Sequence, residues 1–207
     1  MTSAERLDAR ATALVVFDMQ KSQFEVDDEE RQRWLRESNI VANCVSLVAT
    51  VRRAGAQVVF VKNNRRPDGA DQPNVVTDQS LRQQGGAATA PVDVTTLQRR
   101  AEIIDELKPE PADFVVDKIR TGAFSSTMLD TLLRARKIDT VIICGVRTTV
   151  GVATTVRDGR DLGYNMVVAS DATGGVAPED HQWMLDHIFP MVARVRTVDE
   201  IGRMLLD

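Results

Sequence analysis

Uninterrupted apolar runs, each followed by an amphipathic segment, recur along this chain and limit its fold more than any other feature. The runs are predicted strands at residues 13–17, 57–61, 114–116, 140–144 and 165–169, and the short segment 193–196 is the sixth predicted strand. Strands that are apolar at every position have both faces covered. The segments between them carry apolar residues at helical spacing and cover residues 31–54, 97–107, 125–136, 148–162, 178–188 and 198–206. This alternation predicts an α/β fold: a single doubly wound (Rossmann-like), mostly parallel six-stranded sheet with helices on both faces.

Length and charge narrow the class of protein further. The 207 residues suit a single domain, 1–207, because no Pro/Gly/Ser-rich linker divides them. With 26 Lys+Arg against 30 Asp+Glu the net charge is −4, so we expect no nucleic-acid partner. The sequence has no apolar run of about 18 residues and no apolar stretch near its start, so we expect no membrane partner and a cytoplasmic location. Two cysteines and two histidines are too few for a disulfide framework or for most zinc sites.

Polar side chains follow the predicted strands at the point where each strand ends. Asp18 follows the first strand, Asn63 the second and Lys118 the third, and the turn 145–148 follows the fourth. Ligands of open α/β sheets bind outside the carboxyl ends of the strands, so these groups form the candidate site. An Asp and a Lys at one sheet edge are equally compatible with a structural ion pair, and this alternative stays open on the residues alone.

The local sequences around these residues resemble the isochorismatase-like hydrolase family. Asp18 stands in FDMQ and Lys118 in DKIRTGAFSSTMLDTLLR, and the segment IICGVRTTVGVATTVRDGRDLGYNMVVASDA follows them. The resemblance runs from about residue 11 to about residue 205. The family includes isochorismatases, nicotinamidases, N-carbamoylsarcosine amidases and ureidoacrylate or biuret amidohydrolases. The resemblance therefore implies a hydrolase on the same doubly wound fold that the periodicity predicts independently.

One departure from the family pattern concerns the nucleophile. Most members of this family use an Asp–Lys–Cys triad, in which the Cys lies six residues after the Gly of a G-V-x-T turn. Counted from Gly145, that position holds Gly151. We predict that neither Cys44, on the apolar face of a helix, nor Cys144, inside a strand, replaces it. Thiol catalysis needs a thiolate within reach of a base, so none is expected here.

The isochorismatases proper also carry Gly at this position, and the resemblance to them implies another reaction. They hydrolyse a vinyl ether without a nucleophilic side chain. By this resemblance Asp18 and Lys118 are the catalytic residues: Asp18 is the general acid that protonates the enol carbon, water attacks the resulting cation, and pyruvate leaves. Gly151 would leave room for a bulky ring and expose backbone N–H groups to an anion.

The resemblance also implies a set of substrate-binding residues. They are Phe24, Asn63, Arg147, Thr148 and Gly151. Arg147 falls where isochorismatases tend to have a Tyr, and an Arg fork suits a carboxylate. Phe24 lies one residue further from Asp18 than in the usual D-M-Q-x-x-F. A non-proline cis peptide, common in this family's turn, would fall between residues 146 and 147. The Asp-x-His of nicotinamidases is missing, so we expect no metal and no cofactor.

Three functions are compatible with these features. The first is a cysteine-less hydrolase of a small, carboxylated enol ether similar to isochorismate. The second is a non-thiol hydrolase of another small C–N or C–O substrate, with Asp18 activating water. The third is a non-catalytic relative that binds a small anion or serves as an assembly subunit. As partners we expect a small carboxylated substrate and a second copy of this chain, in a homodimer or larger, because the long polar loop 64–96 could cover a neighbour's site.

Overall fold

Six parallel strands form one sheet at the centre of the fold. The computed structural model describes residues 5–71, 75–78, 81, 93–175 and 177–206. The strands are β1 (Thr12–Phe17), β2 (Gln57–Asn63), β3 (Phe114–Lys118), β4 (Thr140–Val146), β5 (Asn165–Gly174) and β6 (Arg194–Arg196). Their order is β3-β2-β1-β4-β5-β6, and every neighbouring pair is parallel. The predicted fold class is confirmed.

Helices connect the strands and cover both faces of the sheet. They are α1 (Lys21–Phe24), α2 (Glu29–Glu37), α3 (Ile40–Arg53), α4 (Val94–Arg100), α5 (Leu129–Ala135), α6 (Ala153–Asp161), α7 (Pro178–Trp183), α8 (Phe189–Val192) and α9 (Val198–Leu206). Short 3-10 turns lie at Ala9–Ala11 and Asp105–Leu107, and π-helical segments at Thr148–Val152 and Met184–Ile188. No helix within the described ranges is long and apolar enough to cross a membrane.

Alternate side chains of the central strands enter two separate apolar layers. On β1, Leu14 and Val16 join the cluster formed with α3 and α9, whereas Val15 and Phe17 join the cluster formed with α5, α6 and α8. All six residues of β1 are buried. Burial on both faces explains why the central strands β1 and β4 are apolar at almost every position, and parallel pairing places the carboxyl ends of the strands at one edge.

Three predicted helices differ from the observed ones. The segment 31–54 forms two helices because Asn39, between α2 and α3, takes a left-handed conformation with φ 52°, which Asn tolerates better than most residues. The segment 97–107 forms α4 and the turn Asp105–Leu107, and α5 begins only at Leu129. Ser126 has φ 60° and so lies outside the helix that 125–136 predicted. Of the predicted loop 64–96, residues 72–74, 79–80 and 82–92 lie outside the described residues.

Candidate active site

Three adjacent strands end in polar residues that contact one another. In the sheet register Asn63 is paired with Lys118, and Asp18 directly follows β1, where its backbone N–H donates to the carbonyl of Val61. The Lys118 Nζ lies 3.1 Å from Asp18 Oδ2. The Asn63 Nδ2 is 3.2 Å from both carboxylate oxygens of Asp18. The sequence therefore placed all three residues at the correct edge, and the structure brings them together.

The Asp18 carboxyl group is held in a low-dielectric environment. The residue is only 7% exposed and has a left-handed backbone with φ 52°. Burial raises the pKa of Asp18 to about 6 from the ordinary 3.8, although the Lys118 ammonium and, more weakly, Arg147 and Arg65 act in the opposite direction. A carboxylic acid with this pKa exchanges protons near neutral pH, as a general acid or base requires.

Lys118 is buried together with its partner. Its ammonium donates to the backbone carbonyl of Arg120 at 3.2 Å and lies 4.7 Å from the centre of the Phe17 ring. Burial lowers the pKa of Lys118 from its ordinary value, while the Asp18 carboxylate raises it. A buried cation beside a carboxylate is a fixed positive charge that a second anion can also use.

The turn after β4 closes the site from the other side. The peptide bond between Val146 and Arg147 is cis, as the resemblance predicted. Gly145 has φ 113°, and a Cβ there would collide with the carbonyl oxygen of Phe17, so the close approach of β4 to β1 requires glycine. The Arg147 carbonyl accepts hydrogen bonds from the N–H groups of Val150 (3.3 Å) and Val152 (3.1 Å). The Arg147 side chain is exposed and helps to line the cavity.

A cavity of about 360 Å³ opens between these elements and is dominated by positive charge. It lies where the strand order changes direction, between β1 and β4. Its lining includes five cationic residues and, within the described part of the chain, a single carboxylate, that of Asp18; the cations are Arg65, Arg100, Lys118, Arg120 and Arg147. A site with this balance of charge favours an anionic ligand.

The predicted substrate-binding residues divide into two groups. Asn63, Arg147 and Gly151 line the cavity, as do Asp18 and Lys118. Thr148 does not line it: its buried Oγ1 pairs with Nδ1 of His181 at 2.8 Å. Phe24 does not line it either, because its ring packs against the apolar cluster of α3.

Gln23 takes the position that we predicted for Phe24. It lies five residues after Asp18, the spacing of the aromatic in D-M-Q-x-x-F, and it lines the cavity. Its side-chain oxygen and its backbone carbonyl accept hydrogen bonds from Arg31, at 2.6 and 2.7 Å. Because of the extra residue between Asp18 and Phe24, the cavity is lined at this point by the amide of Gln23, which Arg31 holds in place, and not by an aromatic ring.

Several lining residues were not predicted from the sequence. They are Gln20, Ser22, Gln23, Arg65, Leu97, Arg100, Ala101, Arg120, Thr121, Val146 and Val150. Arg65 and Arg120 each lie two residues beyond the end of a strand, so the rule that located Asp18 could have located them. Gln20 connects three elements, since it donates to the carbonyls of Asn63 and Arg100 and accepts from the Asn63 N–H.

Neither native cysteine lies in this cavity. Cys44 and Cys144 are both free and buried, and both belong to the apolar cluster on the α3 side of the sheet. The hydrogen bond with Cys44, together with burial, raises the pKa of the Cys144 thiol. No group of three His, Cys, Asp or Glu residues within the described ranges is arranged to hold a metal ion.

Comparison with known proteins identifies the same architecture elsewhere. Residues 12–200 match the family described as "Isochorismatase domain". The isochorismatase family protein YwoC of Bacillus subtilis is 34% identical over 97% of each chain. The ureidoacrylate amidohydrolase RutB of Pseudomonas syringae pv. syringae is 31% identical over 94% of this chain and 84% of its own.

Two solved structures superpose over nearly the whole chain. An isochorismatase family protein from Burkholderia thailandensis gives a TM-score of 0.81 at 28% identity, with 98% of each chain covered. A cysteine hydrolase from Pseudomonas syringae pv. phaseolicola gives 0.78 at 27% identity, with 96% of this chain and 94% of the other covered. The family match and the two superposed structures therefore include the strands and turns that form the cavity described above.

Proposed function

The chain belongs to the isochorismatase family of hydrolases, and from that premise we propose that it cleaves the vinyl ether of a small, isochorismate-like carboxylate by general-acid catalysis and releases pyruvate. One observation carries the proposal: a buried carboxyl group of raised pKa, Asp18, lies in a cationic cavity that contains no native thiol. Such a cavity can bind an anion and supply a proton, and it offers no sulfur nucleophile.

The proposed reaction begins with proton transfer from Asp18 to the terminal methylene carbon of the enol ether. The electrons of the C=C bond form the new C–H bond and leave an oxocarbenium ion. Water adds to that ion, and Asp18, now a carboxylate, accepts the proton that the water loses. The hemiketal then collapses to an alcohol and pyruvate, so that one water is consumed and Asp18 ends protonated.

The cations around Asp18 support the binding of the substrate's carboxylate. Lys118 and Arg147 both line the cavity, and each can donate charge-assisted hydrogen bonds to a carboxylate. A bound anion also offsets the positive charge of Lys118, which in the free protein lowers the pKa of Asp18. Substrate binding therefore favours the protonated acid that the first step needs.

Asn63 offers the substrate a hydrogen-bond acceptor. Its amide nitrogen donates to Asp18, whereas its buried Oδ1 has no hydrogen-bond partner among the described residues. An unsatisfied buried acceptor costs free energy, and a hydroxyl group of a ring substrate would satisfy it. A hydroxylated ring next to the enol ether thus fits the cavity better than a wholly apolar one.

A second candidate function is the hydrolysis of a C–N bond. Its support is that relatives of this chain carry the names ureidoacrylate amidohydrolase and cysteine hydrolase. Without a thiol the reaction would require ionised Asp18 to activate water, so the rate would rise with pH through the pKa of Asp18. The ether mechanism requires the protonated acid, and its rate would fall over the same range.

Pyruvate release tests the proposal directly. Purified protein is mixed with isochorismate, and pyruvate is followed through lactate dehydrogenase and NADH oxidation between pH 5 and pH 9. We expect turnover that declines on the alkaline side and is largely lost in Asp18→Asn. The matched control is Asp117→Asn, which removes an exposed carboxylate from the same strand edge outside the cavity and should retain turnover.

The opposite outcomes separate the alternatives. Ammonia release from ureidoacrylate, together with an absence of pyruvate, would replace ether cleavage with C–N hydrolysis. Binding of isochorismate with neither product would identify a non-catalytic small-anion binder. Near-normal pyruvate release by Asp18→Asn would refute the mechanism even if the substrate is correct.

A further inference from the structure

The ring of Phe17 lies directly against Gly151, in the space that a side chain at position 151 would need. A Cβ built on Gly151 would overlap Cε1 of Phe17, would lie 2.7 Å from its Cζ, and would lie 3.3 Å from the carbonyl oxygen of Thr121. Non-bonded carbon atoms pack at about 3.5–4.0 Å, so these separations are repulsive. Even alanine at position 151 therefore requires the ring to move.

The ring has no room to move. Phe17 is the last residue of β1 and is fully buried. Its backbone is paired with Val61 on one side and Gly145 on the other, which fixes the direction of the side chain. The Lys118 ammonium lies 4.7 Å from the ring centre, and the remaining contacts come from the cluster on the α5 side of the sheet.

Two other crowded glycines, Gly122 and Gly159, face softer neighbours. A Cβ on Gly122 would meet the side chains of Asp158 and Thr154, and one on Gly159 would meet mainly the flexible end of Met166. Those atoms can rotate away, whereas an aromatic ring that is buried on all sides cannot. The rigid Phe17 ring thus occupies the space that any side chain at position 151 would need.

We infer that Phe17 determines the reaction class of this site, because its ring excludes any nucleophilic side chain from position 151. Gly151 and Phe17 form a matched pair: the glycine accommodates the ring, and the ring closes the position beside Asp18 and Lys118 from which a covalent attack could be made. The steric exclusion holds whichever substrate the cavity binds. Only the assignment of ether cleavage as the reaction of this thiol-free site rests on the proposed function.

A double-mutant cycle that measures thermal stability tests the Phe17–Gly151 contact without any substrate. Gly151→Ala is compared in the native background and in Phe17→Leu, a change that removes Cε1 and Cζ and keeps the branch nearer the backbone. We expect Gly151→Ala to lower Tm by about 5 °C or more in the native background, as overpacking does in a chain of this size. In the Phe17→Leu background the same change should cost no more than about 2 °C.

Two controls separate this effect from general destabilisation. Phe60→Leu shortens an equally buried ring on the opposite face of the sheet, and it should leave the cost of Gly151→Ala unchanged. Gly202→Ala adds a methyl group where the nearest atom is 3.5 Å away, and it should not lower Tm. Equal costs of Gly151→Ala in the native and Phe17→Leu backgrounds would overturn the inference, as would equal relief by Phe60→Leu.

Thiol labelling provides a second readout. Because both native cysteines are buried, iodoacetamide should modify only a cysteine introduced at position 151. We expect Phe17→Leu/Gly151→Cys to fold and to gain one label, and Gly151→Cys alone to be destabilised or not to fold. If Gly151→Cys alone is as stable as the native protein and labels at the same rate as the double variant, Phe17 does not exclude the nucleophile. These results do not depend on pyruvate release, so the inference and the proposed function fail separately.

Discussion

The raised pKa of Asp18 predicts that replacing this residue with Asn changes how stability depends on pH. Asp18 has a pKa of about 6 in the folded protein, with burial as the largest cause, against an ordinary value of 3.8. The folded state therefore binds this proton more tightly than the unfolded state does. Asn cannot titrate, so the difference in unfolding free energy between the native protein and Asp18→Asn isolates the contribution of this one carboxyl group.

The magnitude follows from the two pKa values. A change from 3.8 to about 6 corresponds to about 3 kcal/mol, because one pKa unit equals about 1.4 kcal/mol. Below pH 3.8 the group is protonated in both states and contributes no difference. As pH rises the native protein loses stability relative to Asp18→Asn, and the loss of about 3 kcal/mol is nearly complete above pH 6, where ionised Asp18 stays buried.

Urea unfolding at a fixed protein concentration between pH 4 and pH 7 measures this difference. The native protein should lose most of the 3 kcal/mol relative to Asp18→Asn across that range. Replacing Asp117, an exposed carboxylate on β3 that pairs with Lys62, should not reproduce the loss. A constant difference between the native protein and Asp18→Asn, or one that grows in favour of the native protein as pH rises, would refute the reasoning.

Three further predictions concern the substrate, the thiols and the assembly. Arg147→Gln should raise KM for a carboxylate substrate about tenfold with little change in kcat, as loss of a charge-assisted hydrogen bond does, whereas Arg160→Gln, outside the cavity, should not. Iodoacetamide should leave turnover unchanged because the native thiols are buried, and loss of activity in a protein that stays folded would contradict this. Light scattering should give at least twice the 22.9 kDa chain mass, since Trp183 and Met191 are 53% and 74% exposed; a monomer at micromolar concentration would exclude the dimer.

Much of the fold and the centre of the site follow from periodicity alone. Strands that are apolar at nearly every position predict coverage on both faces, and their alternation with helical segments favours parallel pairing with helical crossovers. Parallel pairing in turn brings the carboxyl ends of β1, β2 and β3 to one edge. Asp18, Asn63 and Lys118 could therefore be placed together although 100 residues separate the first from the last.

The remaining features depend on contacts that local patterns do not encode. The break at Asn39 was missed because the apolar spacing continues across it, and only its left-handed backbone separates α2 from α3. Phe24 was placed in the site by motif, but one extra residue rotates it into the core and presents Gln23 instead. The match of Phe17 to Gly151 joins residues 134 positions apart and depends on side-chain shape.

Burial and the neighbouring Lys118 cation shift the pKa of Asp18 in opposite directions, and the outcome has a consequence for kinetics. In the free protein burial outweighs Lys118, so the pKa of Asp18 is raised to about 6. A substrate carboxylate bound by Lys118 or Arg147 would add a negative charge near Asp18 and exclude water, and both effects raise the pKa further. Since kcat/KM reports the free enzyme and kcat reports the complex, the alkaline decline in kcat should lie at a higher pH than the decline in kcat/KM. Coincident declines would mean that the bound carboxylate does not raise the pKa of Asp18. The carboxylate would then be bound by the other arginines that line the cavity.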